Sequence, residues 1–265
     1  MAIIRNRGKR GQFMKALLAI LLASFMLTAC LKTPWDYEQA GIHMNLGMAY
    51  IESNQYNPAL KELLEAEKYT PEDARIHFYL GMAYHAKGLS NKAIAEFNRA
   101  IDLKPDYSEA HNFLGILYTN AGQWDMAIAA YNKALTNIVY DTPAAALYNM
   151  GWAYYQKGDY SMAMSKYYEA LSREPNTVLM PIIEKNMGLA SLRLDQVDEA
   201  IQHFKKAAAV VPNYIEAQYW LAECYAKKKN WEEAITQFQT LAKAAPESEY
   251  GIKAQKRLND LKQVK

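Results

Sequence analysis

The sequence predicts an all-α fold: a right-handed superhelix of six helix-turn-helix units, with one capping helix after the last. Three observations predict it. A short motif returns at a near-constant interval, as Leu46-Gly47-Met48-Ala49-Tyr50, Leu80-Gly81-Met82-Ala83-Tyr84, Leu114-Gly115-Ile116-Leu117-Tyr118 and Met150-Gly151-Trp152-Ala153-Tyr154, with weaker copies at Met187-Gly188 and Leu221-Ala222. Its small residue falls at 47, 81, 115, 151, 188 and 222, so the steps are 34, 34, 36, 37 and 34 residues. Alanine follows twelve residues later each time (Ala59, Ala93, Ala127, Ala163, Ala200, Ala234), and a large residue four after that (Leu63, Phe97, Tyr131, Tyr167, Phe204, Phe238). Finally, Pro71, Pro105, Pro175, Pro212 and Pro246 close five of the six units. A fixed period of this length marks an array of stacked supersecondary units.

Each element follows from the pattern. The glycine or alanine of the first helix and the alanine of the second let the two helices approach, and the large residue fills the space between them. Gly88, Gly122 and Gly158 fall at the turn between helices, where the chain needs a left-handed residue. Asn54, Asp195 and Lys229 hold that place in the other units. The prolines cannot continue a helix and mark the handover to the next unit. One helix pair cannot bury its apolar face alone, so the units stack. After the sixth, Tyr250, Ala254, Leu258 and Leu261 form one helical stripe that covers the array, leaving Lys253, Lys256, Arg257 and Lys262 toward water.

These anchor positions resemble the tetratricopeptide repeat. The resemblance spans residues 40–248 and divides them into 40–73, 74–107, 108–143, 144–180, 181–214 and 215–248, with 249–265 as the capping helix.

Residues 1–29 read differently. Five basic residues precede or open an apolar run from Ala16 to Leu27 that is too short to span a bilayer, as in a secretory signal. The run ends in Leu27-Thr28-Ala29-Cys30, which resembles the lipobox of bacterial lipoproteins. That resemblance implies a diacylglyceryl group on Cys30 and cleavage before it, and Leu31 in the next place implies outer-membrane sorting. Residues 31–39 then form a short tether from the acyl chains to the first repeat. Met14 offers an alternative start to Met1. Cys224 is left without a partner cysteine, either a packed small residue or a reactive thiol.

Composition narrows the function. Hydrophobic residues make up 51% of the 265 and charged ones 22%, which suits a packed chain and not a disordered one. The formal charge of +2 misleads: residues 1–29 hold five of the 30 basic residues and none of the 28 acidic ones, so the remainder carries −3. A mildly acidic chain lacks the footprint of a nucleic-acid binder. No nucleophile elbow, zinc-protease helix, phosphate loop or Cys/His pairing is present, so the sequence calls for no catalysis, no cofactor and no small-molecule substrate. His43, His77 and His111 recur at one repeat position, but a stacked helix pair separates them by about 10 Å or more, so they pack and do not share a metal.

The deviations carry more than the matches. The third unit lacks its closing proline and hands over through Asn137-Ile138-Val139-Tyr140-Asp141-Thr142-Pro143-Ala144. Val178-Leu179-Met180 lengthen the next handover, which predicts looser stacking on both sides of the fourth repeat. A lipobox, six repeats and Tyr140, Thr142, Pro143 and Ala144 after the third resemble the pilotin lipoproteins of type IV pilus biogenesis (PilF, PilW, Tgl). Asp141 departs from the Pro expected in that motif. The resemblance covers the whole chain. It implies a protein partner, a secretin subunit, whose localisation to the outer membrane and assembly the protein promotes.

In such arrays the first helices line a concave face. Mapped here, that face offers Met44, Met48, Phe78, Met82, Asn112, Ile116, Tyr148, Asn149, Trp152, Tyr155, Lys185, Leu189 and Tyr219 as a partner groove. Tyr148, Trp152 and Tyr155 stand at i, i+4 and i+7 and share one face. The same residues could instead pack between repeats. Asn45, Asn149 and Asn186 hold equivalent places suited to a peptide backbone, but the basic residues of a carboxylate clamp are mostly missing. The recognition would be helix-in-groove or extended-peptide binding. An adaptor for cell-wall synthesis or outer-membrane protein assembly would use the same anchor and groove.

Overall fold

Thr33 starts the structure that a computed structural model describes for residues 32–263. Its side chain accepts from Asp36 N, while the Asp36 carboxylate accepts from Thr33 N at 2.7 Å, a reciprocal cap with Pro34 in the first turn. Helix α1 (Pro34–Glu52) therefore takes in the last six residues of the span read as a tether. The signal segment and Cys30 lie outside the described residues.

Among the described residues there are thirteen α-helices and no strand. They fall into two compact units, one ending at Leu103 and one starting at Lys104. Unit 1 holds α1, α2 (Tyr56–Tyr69), α3 (Ala74–Ala86) and α4 (Ser90–Leu103). Unit 2 holds α5 (Ser108–Asn120), α6 (Trp124–Ala134), α7 (Pro143–Lys157), α8 (Tyr160–Arg173), α9 (Met180–Arg193), α10 (Val197–Val210), α11 (Ile215–Lys227), α12 (Trp231–Ala244) and α13 (Glu249–Gln263).

The turns inside each pair confirm the left-handed positions. Gly88 and Gly122 have φ of 72° and Gly158 of 90°, while Asn54, Asp195 and Lys229 adopt 58°, 61° and 61°. The close approach of paired helices is equally direct. A Cβ on Gly81 would lie 2.6 Å from the Phe97 ring, and one on Gly151 2.6 Å from the Tyr167 ring. Phe97 and Tyr167 are fully buried there. In unit 1 the core joins Ala40, Met44, Leu63, Ile76 and Leu80 across α1, α2 and α3. In unit 2 the core continues through Tyr131 and Met150, then Tyr167, Ile183 and Met187, then Phe204 and Leu221, and ends at Phe238, Ala254 and Leu258.

The fourth repeat is not loosely held. Tyr140 is buried against Ala134 and Ala146, and Glu174 Oε1 accepts from Ala144 N at 3.3 Å, capping α7 from the end of α8. The added residues protrude instead: Ile138, Val139 and Val178 are exposed. The insertion thus lies on the surface while its aromatic end is pulled into the core. Thr142 makes no side-chain cap bond, and Pro143 opens α7, so the motif residues restart a helix. Cys224 is fully buried and burial pushes its thiol up to about 12, so it packs and is not reactive.

Candidate partner-binding groove

The first helices of unit 2 are joined through polar side chains. Asn149 Nδ2 donates to Asn112 Oδ1 at 3.2 Å, linking α7 to α5. Asn186 Nδ2 reaches Tyr148 Oη at 3.4 Å, and Arg193 Nε reaches Tyr155 Oη at 3.5 Å, linking α9 to α7. Lys185 Nζ lies 3.4 Å from Glu216, linking α9 to α11. Arg257 donates to Glu223 from two nitrogens at 2.8 and 3.1 Å, linking α13 to α11. Such bonds fix the register of successive repeats while leaving aromatic and aliphatic side chains between them.

Those side chains wall a cavity of about 700 Å³, in the range of small-ligand and peptide side-chain sites. Tyr155, Leu189, Leu192, Trp220, Trp231 and Leu261 give it apolar surface, and Arg193, Glu216, Glu223, Lys227 and Arg257 ring it with charge. Trp152 stacks on Tyr155 with ring centroids 5.3 Å apart and planes 6° apart, which stiffens one wall. Lys185, Lys227 and Arg257 are each paired with a carboxylate. Arg193 is exposed and pairs with no carboxylate among the described residues. Tyr155 is its hydrogen-bond partner, and that bond holds the guanidinium pKa above its ordinary value. The site thus offers three aromatic side chains, several aliphatic groups and one cation without a carboxylate partner among the described residues.

The expected groove is corrected in five places, Lys185 among them. Met44, Phe78, Asn112 and Tyr219 are only 7%, 7%, 8% and 8% exposed. Met44 belongs to the unit 1 core, Phe78 packs on Phe97, and Tyr219 sits among Trp220, Phe238 and Tyr250. Asn112 is covered by Asn149 of the next first helix, which donates to it. Met48, Met82, Tyr148, Asn149, Trp152, Tyr155, Leu189 and Ile116 are half-buried. Tyr155 and Leu189 line the cavity with the accessible rings, and Trp152 stands behind that wall, stacked on Tyr155. Asn45 is exposed, Asn149 half-buried and Asn186 buried, so the three equivalent asparagines do not form one row. Lys185 is buried and ion-paired.

Sequence reading missed Leu192, Arg193, Trp220 and Trp231, and it left Arg257 facing water. Leu192 and Arg193 stand three and four residues after Leu189, so helical spacing alone would have placed them on the same side. Arg257 lies three residues after buried Ala254, at the margin of the stripe, and that brings it to Glu223.

The recurring histidines bond within their own unit. His43 Nδ1 meets Glu62 at 2.7 Å and His77 Nδ1 meets Glu96 at 2.8 Å, each joining the two helices of a repeat. In the fifth repeat the same two places carry the pair reversed, with Glu184 on α9 and His203 on α10 at 2.7 Å. His77 Nε2 and His111 Nε2 also reach the carbonyls of Pro71 and Pro105, at 2.8 and 3.0 Å.

Unit 1 offers a second apolar surface. Ile42 and Leu46 are 46% and 45% exposed, while their counterparts one repeat later, Ile76 and Leu80, are 1% and 0% exposed within the core shared with α2. The first repeat has no helix ahead of it among the described residues, so its stacking side is open.

Tetratricopeptide-repeat family models match residues 44–108, 106–173 and 191–258. The chain is 30% identical over 99 residues to a DnaJ homolog subfamily C member 7 homolog of Dictyostelium discoideum, covering 37% of this chain and 18% of that protein. It is 34% identical over 90 residues to the photosystem I assembly protein Ycf3 of Sorghum bicolor, covering 28% of this chain and 51% of that one. The chain therefore spans from about a fifth to about half of these relatives' length. Among solved structures, the type IV pilus biogenesis factor PilW superposes with a TM-score of 0.74 at 23% identity, over 81% of this chain and 97% of PilW. PilF of Pseudomonas aeruginosa superposes with a TM-score of 0.73 at 16% identity, over 84% of this chain and 99% of PilF. Likeness at that identity is likeness of fold. With three such matches between residues 44 and 258 and helix pairs throughout, the chain belongs to the tetratricopeptide repeat family.

Proposed function

We propose that this protein is a lipid-anchored outer-membrane scaffold, facing the periplasm, that binds a secretin subunit and promotes its localisation and assembly for type IV pilus biogenesis. The observation that carries the reading is the aromatic-walled cavity of unit 2, which suits an apolar segment of a protein partner. The Cys30 lipobox and the Tyr140 to Ala144 handover support it from the sequence. So does likeness of fold, along nearly their whole length, to PilW, described as a type IV pilus biogenesis factor, and to PilF.

The mechanism needs no bond made or broken. An apolar segment of the secretin would bury against Leu189, Leu192 and Trp220, with a neighbouring carboxylate on Arg193. Ile42 and Leu46 offer a place for a helix of the same partner. Acyl chains on Cys30 would then confine the pair to one membrane.

The test is a strain lacking the protein, complemented with Trp152→Ala. Stacked aromatics at the centre of an interface commonly contribute about 2 kcal/mol or more. Secretin multimers in the outer membrane should be absent in the deletion and reduced on the order of tenfold in the variant. Normal multimers in the deletion strain would refute the reading. Recovery of a peptidoglycan synthase or a barrel-assembly subunit with the protein, and no secretin, would move it to the adaptor function.

A further inference from the structure

The structure places the start of α1 at Pro34, with no loop between the reciprocal Thr33–Asp36 cap and the helix. Only residues 31–33 separate that start from Cys30. Four residue steps extend at most about 14 Å. The headgroup layer on each side of a bilayer is about 5–8 Å thick. If Cys30 sits at the hydrocarbon boundary, the first turn of α1 lies at the headgroups or just above them.

Aromatic rings stand at that end. Trp35 is 56% exposed and Tyr37 is 62% exposed, although both belong to the first turn of a well-formed helix. Side chains on a helix tilt toward its N-terminus, so these two lean toward the anchor from different sides of α1. Trp35 meets Tyr69, at the end of α2, edge-on at 5.5 Å, which adds a third ring at the same end of the repeat. Tryptophan and tyrosine favour the membrane boundary, where the ring body is apolar and its polar tip stays wet. The charge at this end is mixed: Glu72 is exposed beside Lys32 and Tyr37, and Asp73 is paired with Arg75. Lys32 and Glu38 are exposed, and the Asp36 carboxylate is held by the Thr33 cap.

We propose that the anchor end of α1, carrying Trp35 and Tyr37 beside Tyr69, is seated in the headgroup layer of the membrane that holds Cys30. The first repeat would then stand on the bilayer instead of hanging from a flexible tether. This rests on the reading that Cys30 is acylated. Its consequence is orientation: unit 1 meets its partner at a fixed height above the membrane.

The experiment uses the acylated full chain, reconstituted in phosphatidylethanolamine and phosphatidylglycerol vesicles. An environment-sensitive fluorophore is attached at Tyr37→Cys or, as control, at Asn91→Cys in the exposed first turn of α4. Cys224 stays unlabelled, because it is buried with its thiol pushed up to about 12. The expected result is flotation with the vesicles and a several-fold brighter signal at position 37. Lipids carrying a shallow quencher should reverse that gain, and position 91 should stay water-like. Intrinsic fluorescence should also be quenched by brominated lipid, and that quenching should fall in Trp35→Phe.

Flotation with a water-like position 37 and no Trp35 quenching would overturn the seating while leaving the anchor intact. Failure to float would remove the anchor reading and the proposal with it. Brightening at position 37 without vesicles, on raising the protein concentration or adding a secretin subunit, would assign the rings to a protein interface and overturn the proposal.

Discussion

At the scale of single residues, the repeat is a set of tight steric fits. Gly151 has no room for a methyl group, because its Cβ would stand 2.6 Å from the Tyr167 ring. Tyr167 is fully buried, so the ring cannot swing to solvent. Gly151→Ala should therefore destabilise unit 2 by about 1–3 kcal/mol, read as a lower urea midpoint with an unchanged slope. His77 gives a pH-dependent counterpart in unit 1. Burial disfavours its charged ring, but bonds to Glu96 and to the Pro71 carbonyl outweigh that and raise its pKa above the ordinary 6.5. A group whose folded pKa is raised stabilises fully below its unfolded value and loses that contribution as pH rises through the folded one. Unfolding of unit 1, followed across pH 6 to 8 or so, should show stability falling with rising pH. His77→Gln should flatten the slope while keeping the bond to Pro71, since Gln218 makes the equivalent bond to Pro212 in the sixth repeat.

At the scale of helices, the difference between buried and open positions follows from what precedes each repeat. Ile42 and Leu46 have the same sequence environment as Ile76 and Leu80, yet they are open because no helix among the described residues lies ahead of α1. Leu46→Glu should cost within about 0.5 kcal/mol in stability, as expected of a surface change, while Leu80→Glu should unfold unit 1. If the open side receives a partner helix, the same Leu46→Glu chain should lose capture of the secretin subunit in a pull-down at unchanged thermal midpoint. Retained capture would leave the unit 2 cavity as the sole docking place. The periodicity, the small-to-large contacts and all six left-handed turns were legible in the sequence, because each is fixed by residues a few positions apart. The start of α1 was not, because the Thr33–Asp36 cap has to be weighed against a segment that reads as linker. Burial of Met44, Phe78, Asn112 and Tyr219 was not legible either. Spacing assigns a residue to a side of its helix, but only the neighbouring repeat decides whether that side is covered. Arg257 shows the same limit, since its partner Glu223 lies on another helix.

At the scale of the whole molecule, anchoring and recognition use separate parts of one chain, and that separation can be tested. On the proposed function, Cys30 would act only through its acyl chains, whereas Trp152 and Tyr155, stacked on each other, would act only through contact with the partner. Cys30→Ser should leave secretin binding in solution unchanged and abolish delivery to the outer membrane. Trp152→Ala should do the opposite, reaching the membrane but holding the subunit weakly. Each variant supplies what the other lacks, so expressing both in one cell distinguishes two mechanisms. If the protein raises the local concentration of a bound subunit at the membrane, anchor and groove must be on the same molecule, because the gain comes from covalent linkage. Secretin multimers should then stay low with both variants present, as low as with the weaker one alone. Recovery to the wild-type level would mean that soluble and anchored copies exchange the subunit, and the protein would act as a relay and not as a tether. The measurement is the amount of heat-stable secretin multimer in purified outer membranes of the two single strains and the combined one.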